Sequence, residues 1–134
     1  ASGKVAATWR LDGAARNFAM ALDERRQRVF IVTRSPARLI GFDTESGRQI
    51  GEVPVCGDAD DLFIDDAKDR IYVVCGDGRV SVARRVDGQM VVDQNVVTAP
   101  GARTGLFVPQ LSTLFVAVPA RGGSTAEVRA YGVR

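Results

Sequence analysis

The sequence predicts an all-β fold, a β-propeller segment of three four-stranded antiparallel blades, on three observations. A six-residue apolar run occurs three times, as Arg28-Val29-Phe30-Ile31-Val32-Thr33, Arg70-Ile71-Tyr72-Val73-Val74-Cys75 and Thr113-Leu114-Phe115-Val116-Ala117-Val118, with starts 42 and 43 residues apart. A fixed period of this size marks a propeller or solenoid, because each unit has an apolar face that it must bury on its neighbour. Each run is flanked by further short β-branched and aromatic runs, separated by Gly, Asp, Asn and Pro clusters, which read as strands joined by tight turns. The long runs at 3.6 spacing needed for ankyrin, tetratricopeptide or armadillo-type units are missing, as is the leucine-rich pattern.

The chain opens on Gly3-Lys4-Val5-Ala6-Ala7-Thr8-Trp9-Arg10-Leu11, a fourth-strand pattern with no blade before it, so 1–13 is expected to be an outer closing strand. The first blade, 14–55, takes its inner strand from Asn17-Phe18-Ala19-Met20-Ala21-Leu22-Asp23, its second from the run at 28–33 and its third from Leu39-Ile40-Gly41-Phe42-Asp43. Its fourth follows the turn at 43–47. The second blade, 56–98, repeats this with Asp61-Leu62-Phe63-Ile64-Asp65, the run at 70–75, Val80-Ser81-Val82-Ala83 and the strand at 89–97 after Asp87-Gly88. The third, 99–134, has Thr104-Gly105-Leu106-Phe107-Val108-Pro109, the run at 113–118 and Val128-Arg129-Ala130-Tyr131, displaced by an insertion at 121–125, and it lacks an outer strand of its own.

Propellers close with about four to eight blades, so three leave strand edges and apolar faces open at both cut ends. Two repairs stand open. One is a two-fold homodimer forming a six-bladed ring, in which residues 4–10 of each chain pair with 127–133 of the other and bury Trp9, Val128 and Tyr131 at the closure. The other is a longer propeller whose remaining blades lie on a further stretch of polypeptide.

The run Arg70-Ile71-Tyr72-Val73-Val74-Cys75-Gly76-Asp77-Gly78-Arg79-Val80-Ser81-Val82 resembles the repeat of bacterial YVTN-type β-propeller proteins, and the likeness extends over nearly the whole chain. Cys75 and Val118 replace the small polar residue that this family has at the end of the second strand. The resemblance implies an exported or surface-associated, extracytoplasmic protein. Its motif residues are structural, and no functional residue is carried over with them.

A content of 46% hydrophobic and 25% charged residues suits one compact domain, and no apolar run reaches the length of a membrane span. A net charge of +2, with the basic residues scattered among acids, gives no nucleic-acid footprint. No signal peptide is read at the N-terminus. The absence of histidine removes the most common neutral-pH base and any thiol–imidazole metal site, so no catalytic set, metal or cofactor is expected. Cys75 reads as a small buried strand residue and Cys56 as the end of a strand, with a disulfide between them left open.

Aligning the blades places Arg16-Asn17, Asp60-Asp61 and Arg103-Thr104 at the start of each inner strand, around the channel mouth. With Asp58, the acidic pair makes the densest cluster of carboxylates. Alternating Arg and Asp there reads as an ion-pair belt, with selection of an anionic or zwitterionic ligand as the other use of the same groups. The preferred function is a non-enzymatic scaffold that binds a protein or small polar ligand on this face. The alternative is a propeller enzyme of lactonase or quinoprotein type, with carboxylates around a cation.

Overall fold

Each predicted apolar run becomes the second strand of an antiparallel sheet, because its alternate side chains supply both faces of a blade. The computed structural model describes residues 3–134. The first sheet has the order β1-β2-β3-β4, with β1 Ala15–Asp23, β2 Arg28–Ser35, β3 Ala37–Asp43 and β4 Gln49–Pro54. The second has the order β5-β6-β7-β8, with β5 Ala59–Asp65, β6 Arg70–Cys75, β7 Arg79–Val86 and β8 Gln89–Val97. The third has three strands, ordered β11-β10-β9, with β9 Thr104–Val108, β10 Thr113–Val118 and β11 Glu127–Gly132. A 3₁₀ turn, Pro109–Leu111, joins β9 to β10. Among the described residues no helix is long and apolar enough to cross a membrane.

The repeat extends to the backbone. Gln27, Asp69 and Ser112 turn the chain from first to second strand in the left-handed region, at φ 51°, 50° and 46°. Arg16, Asp58 and Gly101, at φ 57°, 58° and 83°, do the same near the start of each inner strand. Both sets keep the sequence period. They also shift the expected alignment of the mouth by two residues: Arg16 is equivalent to Asp58, and the place of Asp60 is taken by Phe18 and Arg103. Both inner strands carry a bulge at the same place, between Asn17 and Met20 in the first blade and between Ala59 and Asp61 in the second, so it keeps the period and the equivalence of Arg16 with Asp58.

The core lies between blades. Phe30, Val32 and Leu39 meet Leu62, Ile71, Val73 and Ala83 across the first boundary, and Tyr72, Val74, Val80 and Val82 meet Phe107, Leu114 and Val116 across the second. Gly41 leaves room for Phe30, since a Cβ there would stand 2.8 Å from its ring. A third cluster, Ile31, Ile40 and Phe42, sits on the far face of the first blade under Leu11, Ala14 and Val29. Trp9 stacks on Phe42, with centroids 5.8 Å apart, and is 39% exposed. Ala7, Trp9 and Leu11 line a hollow with Val29, Ile31 and Phe42 of their own first blade, and residues 4–10 are in no strand among the described residues. The first two residues of the expected closing strand, Ala1 and Ser2, lie outside the described residues.

Cys56 and Cys75 form a buried disulfide with Cα atoms 5.9 Å apart, which ties the linker after β4 to the end of β6. Cys75 is thus the fully buried residue the sequence predicts, and the pairing left open is made. At the opposite end, Asp23 and Asp65 are buried turn acids: Asp23 accepts from the Arg26 amide at 3.0 Å, and Asp65 from the Lys68 amide at 3.2 Å and the Tyr72 hydroxyl at 2.9 Å. Burial and then the Asp65 carboxylate push the Tyr72 phenol up from 10.0 to about 12.

Two outcomes follow from these contacts. Replacing both Cys56 and Cys75 by Ser should lower stability to denaturant by about 3 kcal/mol, the loop-closure value for a loop of this size. Because the folded chain holds the Tyr72 proton that the unfolded chain releases near 10.0, stability should fall as pH rises from there towards about 12. Tyr72→Phe should flatten that decline and cost about 1–2 kcal/mol at neutral pH, read by urea titration, by leaving Asp65 short of a donor.

Candidate functional site

The starts of the inner strands and the turns between second and third strands share one face, which surrounds the channel mouth in a closed propeller. Arg34, at the end of β2, reaches from the first blade to the second. Its Nε donates to the Ala59 carbonyl at 2.8 Å, its Nη2 to Asp60 Oδ1 at 2.8 Å, and its Nη1 lies 3.3 Å from Asp58 Oδ1. The same guanidinium lies 3.7 Å from the centroid of the Phe18 ring, a cation–π contact. From the third blade, Arg103 Nη2 lies 3.0 Å from Asp58 Oδ2. Asp58 is therefore held between two guanidinium groups from the blades on either side of its own.

Gly76 makes that arrangement possible. A Cβ at this position would fall 2.2 Å from Asp58 Oδ2 and 3.1 Å from Arg103 Nε, and the Gly76 amide donates to the Asp58 carbonyl at 2.8 Å. Asp61 is also engaged, accepting from the Gly105 amide across the second boundary at 2.7 Å. Asp77 accepts from the Gly57 amide at 2.7 Å and pairs with Arg79 at 2.5 Å. Asp77 also stands near both cysteines, but their sulfur atoms are bonded to each other and the trio offers no thiolate.

Of the six residues predicted to ring the mouth, Asp60, Asp61 and Arg103 are joined into this network of contacts between blades. Arg16, Asn17 and Thr104 are exposed and make no side-chain hydrogen bond or ion pair among the described residues. Asn17 lies in the row of Thr33 and Thr104 in the row of Ala117, on the two outward faces of the arc. Arg34 and Phe18 were absent from the predicted set. Arg34 has no counterpart to betray it, because the equivalent positions hold Gly76 and Pro119. The predicted closure residues do not meet within the chain: Trp9 lies on Phe42, Tyr131 packs towards the second blade, and Val128 is exposed on β11.

No protein-family model matches the chain, and no curated protein matches it in sequence. Solved structures do match. A Bacteroides uniformis ATCC 8492 protein assigned as a 6-phosphogluconolactonase superposes with a TM-score of 0.69 at 14% identity, over 88% of this chain and 37% of that one. Kuenenia stuttgartiensis hydrazine synthase gives 0.67 at 18%, over 86% and 32%. A chain of the mitotic checkpoint complex gives 0.66 at 12%, over 74% and 32%. The chain spans about a third of the length of these structures. At such identities the likeness is one of fold, and together with the three sheets it makes this chain an all-β partial propeller.

Asp58→Asn keeps a side chain that tolerates the left-handed backbone and removes the charge between Arg34 and Arg103. It should lower stability by about 0.5–1 kcal/mol, the range for partly exposed pairs. The difference should shrink in concentrated salt when melts of both proteins are compared.

Proposed function

We propose that the chain is part of a non-enzymatic propeller scaffold of YVTN type that binds a protein or a small polar ligand on the channel-mouth face. The observation that carries this reading is the division of labour at the mouth. Asp58, Asp60 and Asp61 are occupied by Arg34, Arg103 and the Gly105 amide. Arg16, Asn17 and Thr104 are left to meet a partner. A lactonase-type site needs carboxylates converging on a cation, and here the nearest carboxylates already face guanidinium groups. The ring is completed by further blades, from a second copy or from the rest of a longer propeller. The disulfide supports the extracytoplasmic setting that the resemblance implies, since such bonds persist in oxidising compartments.

Thermal melts with calcium, magnesium, manganese, citrate and inorganic phosphate test the reading. A cation held by the native state at 100 times its dissociation constant adds about 2.7 kcal/mol. The expected outcome is no shift with any of the three cations, and stabilisation by an anion that Arg16→Ala removes. A cation-induced shift lost in Asp60→Asn would instead establish the cation-bearing site of the lactonase-type alternative.

A further inference from the structure

We infer that reduction of the Cys56–Cys75 disulfide turns the same place into a three-ligand zinc site, with the two thiolates and one Asp77 carboxylate oxygen as donors. The two sulfur atoms and an Asp77 carboxylate oxygen lie within 4.8 Å of one another. Soft thiolate donors select zinc over calcium or magnesium. Two sulfurs at about 2.3 Å from a tetrahedral ion stand about 3.8 Å apart. With their Cα atoms 5.9 Å apart, Cys56 and Cys75 reach that separation by side-chain rotation alone.

The backbone around the donors is already built. Besides the disulfide, two hydrogen bonds join residues 56–58 to 75–77: the Gly76 amide donates to the Asp58 carbonyl at 2.8 Å and the Asp77 amide to the Gly57 carbonyl at 3.2 Å. Asp77 is aimed through its Oδ2, which accepts from the Gly57 amide at 2.7 Å and pairs with Arg79 at 2.5 Å. Its Oδ1 makes no hydrogen bond or ion pair among the described residues and is left for the ion. Outer contacts of this kind hold a carboxylate ligand in a metal site. Charge balances as well, since two thiolates and a carboxylate exceed a divalent ion by one negative charge and the Arg79 guanidinium supplies the matching positive one. Cys56 and Cys75 are 2% and 0% exposed, which keeps the sulfur donors from water, whereas Asp77 is exposed and opens the fourth position to solvent.

The repeat singles out this blade. The places of Cys56, Cys75 and Asp77 hold Ala14, Thr33 and Ser35 in the first blade and Ala99, Val118 and Ala120 in the third. All three donors thus come together once, and a disulfide by itself asks for only two of them. In the exchange, two molecules of a thiol reductant give two electrons and two protons to the S–S bond, becoming a disulfide and leaving two cysteine thiols. Zinc displaces both protons as two zinc–sulfur bonds form. The carbonyls of Val73 and Arg79, 3.5 and 3.7 Å from Cys56 Sγ, compete for those protons in the metal-free thiol form. The ion restores the tie between the linker and the end of β6 that reduction removes, beside Asp58 at the mouth.

Cobalt(II) reports the site in the whole chain, reduced under argon with a phosphine, through urea and refolding where the buried bond resists, and then freed of reductant. The expected result is one cobalt per chain with a thiolate charge-transfer band in the near ultraviolet, displaced by zinc and missing from the oxidised chain. Asp77→Asn, which keeps an acceptor for the Gly57 amide, should weaken cobalt binding by about tenfold or more. Cys75→Ser should abolish the band. A reduced, folded chain without the band overturns the inference, as does equal binding by the oxidised chain, which places the ion on surface carboxylates. A band whose affinity Asp77→Asn leaves unchanged overturns the three-ligand assignment. If the reduced chain unfolds, recovery of its circular dichroism with cobalt supports the site and no recovery overturns it. The melts with calcium, magnesium and manganese use the disulfide form, so the mouth reading stands or falls separately.

Discussion

The structure depends on one constraint: a blade has two apolar faces and no means of burying either without another blade. Fully burying a Val, Leu or Phe side chain contributes about 1.5–3 kcal/mol, and each boundary within the chain buries several. The second blade, covered on both sides, has a β6 whose residues from Ile71 to Cys75 are all buried. The third is covered by a blade on one side, and its β10 has Leu114, Val116 and Val118 buried while Ala117 is exposed; the first keeps Phe30 to Thr33 buried on both faces. The same constraint explains Trp9, Leu11 and Ala14, which lie on the open face of the first blade in place of a preceding blade.

Charged contacts follow the boundaries without being what holds them. At the mouth, Arg34 and Arg103 converge on Asp58, and at the opposite end Arg26 bridges to Asp66 at 2.5 Å and Asp69 at 3.6 Å. The Arg25 and Arg26 guanidinium groups hold the Asp66 carboxyl below its ordinary range. Pairs this exposed are worth little individually, so their use is to set the height at which one blade stands against the next. The first boundary is tied at both ends in this way. The second uses Arg103 with Asp58 and the Gly105 amide with Asp61 at the mouth, and an Arg70 contact to the Arg134 carbonyl at the other end.

The strands were legible because they are repeated: three copies of one apolar run outweigh the ambiguity of any single short run. The left-handed residues were not, since nothing in Arg16 or Gln27 announces a positive φ. The expected alignment of the mouth paired Arg16 with Asp60, two residues off the place that the repeat period and the shared left-handed backbone give it, which is that of Asp58. The ion-pair belt was foreseen in kind, as alternating Arg and Asp, but its central member Arg34 stands where the other blades have Gly76 and Pro119. The disulfide depended on proximity between a linker and a strand end 19 residues apart, which a one-dimensional pattern does not hold.

The exposed polar groups of the mouth lie at the two cut ends of the arc, Arg16 and Asn17 on the first blade and Thr104 on the third. Within one chain they face away from each other. Were the ring closed by a second copy, its third blade would stand beside the first blade here, and the groups would border a single boundary. A ligand touching both sides binds the closed state and not the open one, and by linkage it strengthens closure by the same factor by which closure strengthens its binding. Ring assembly and ligand recognition would then be one equilibrium, governed by mouth residues that the inter-blade ion pairs do not engage.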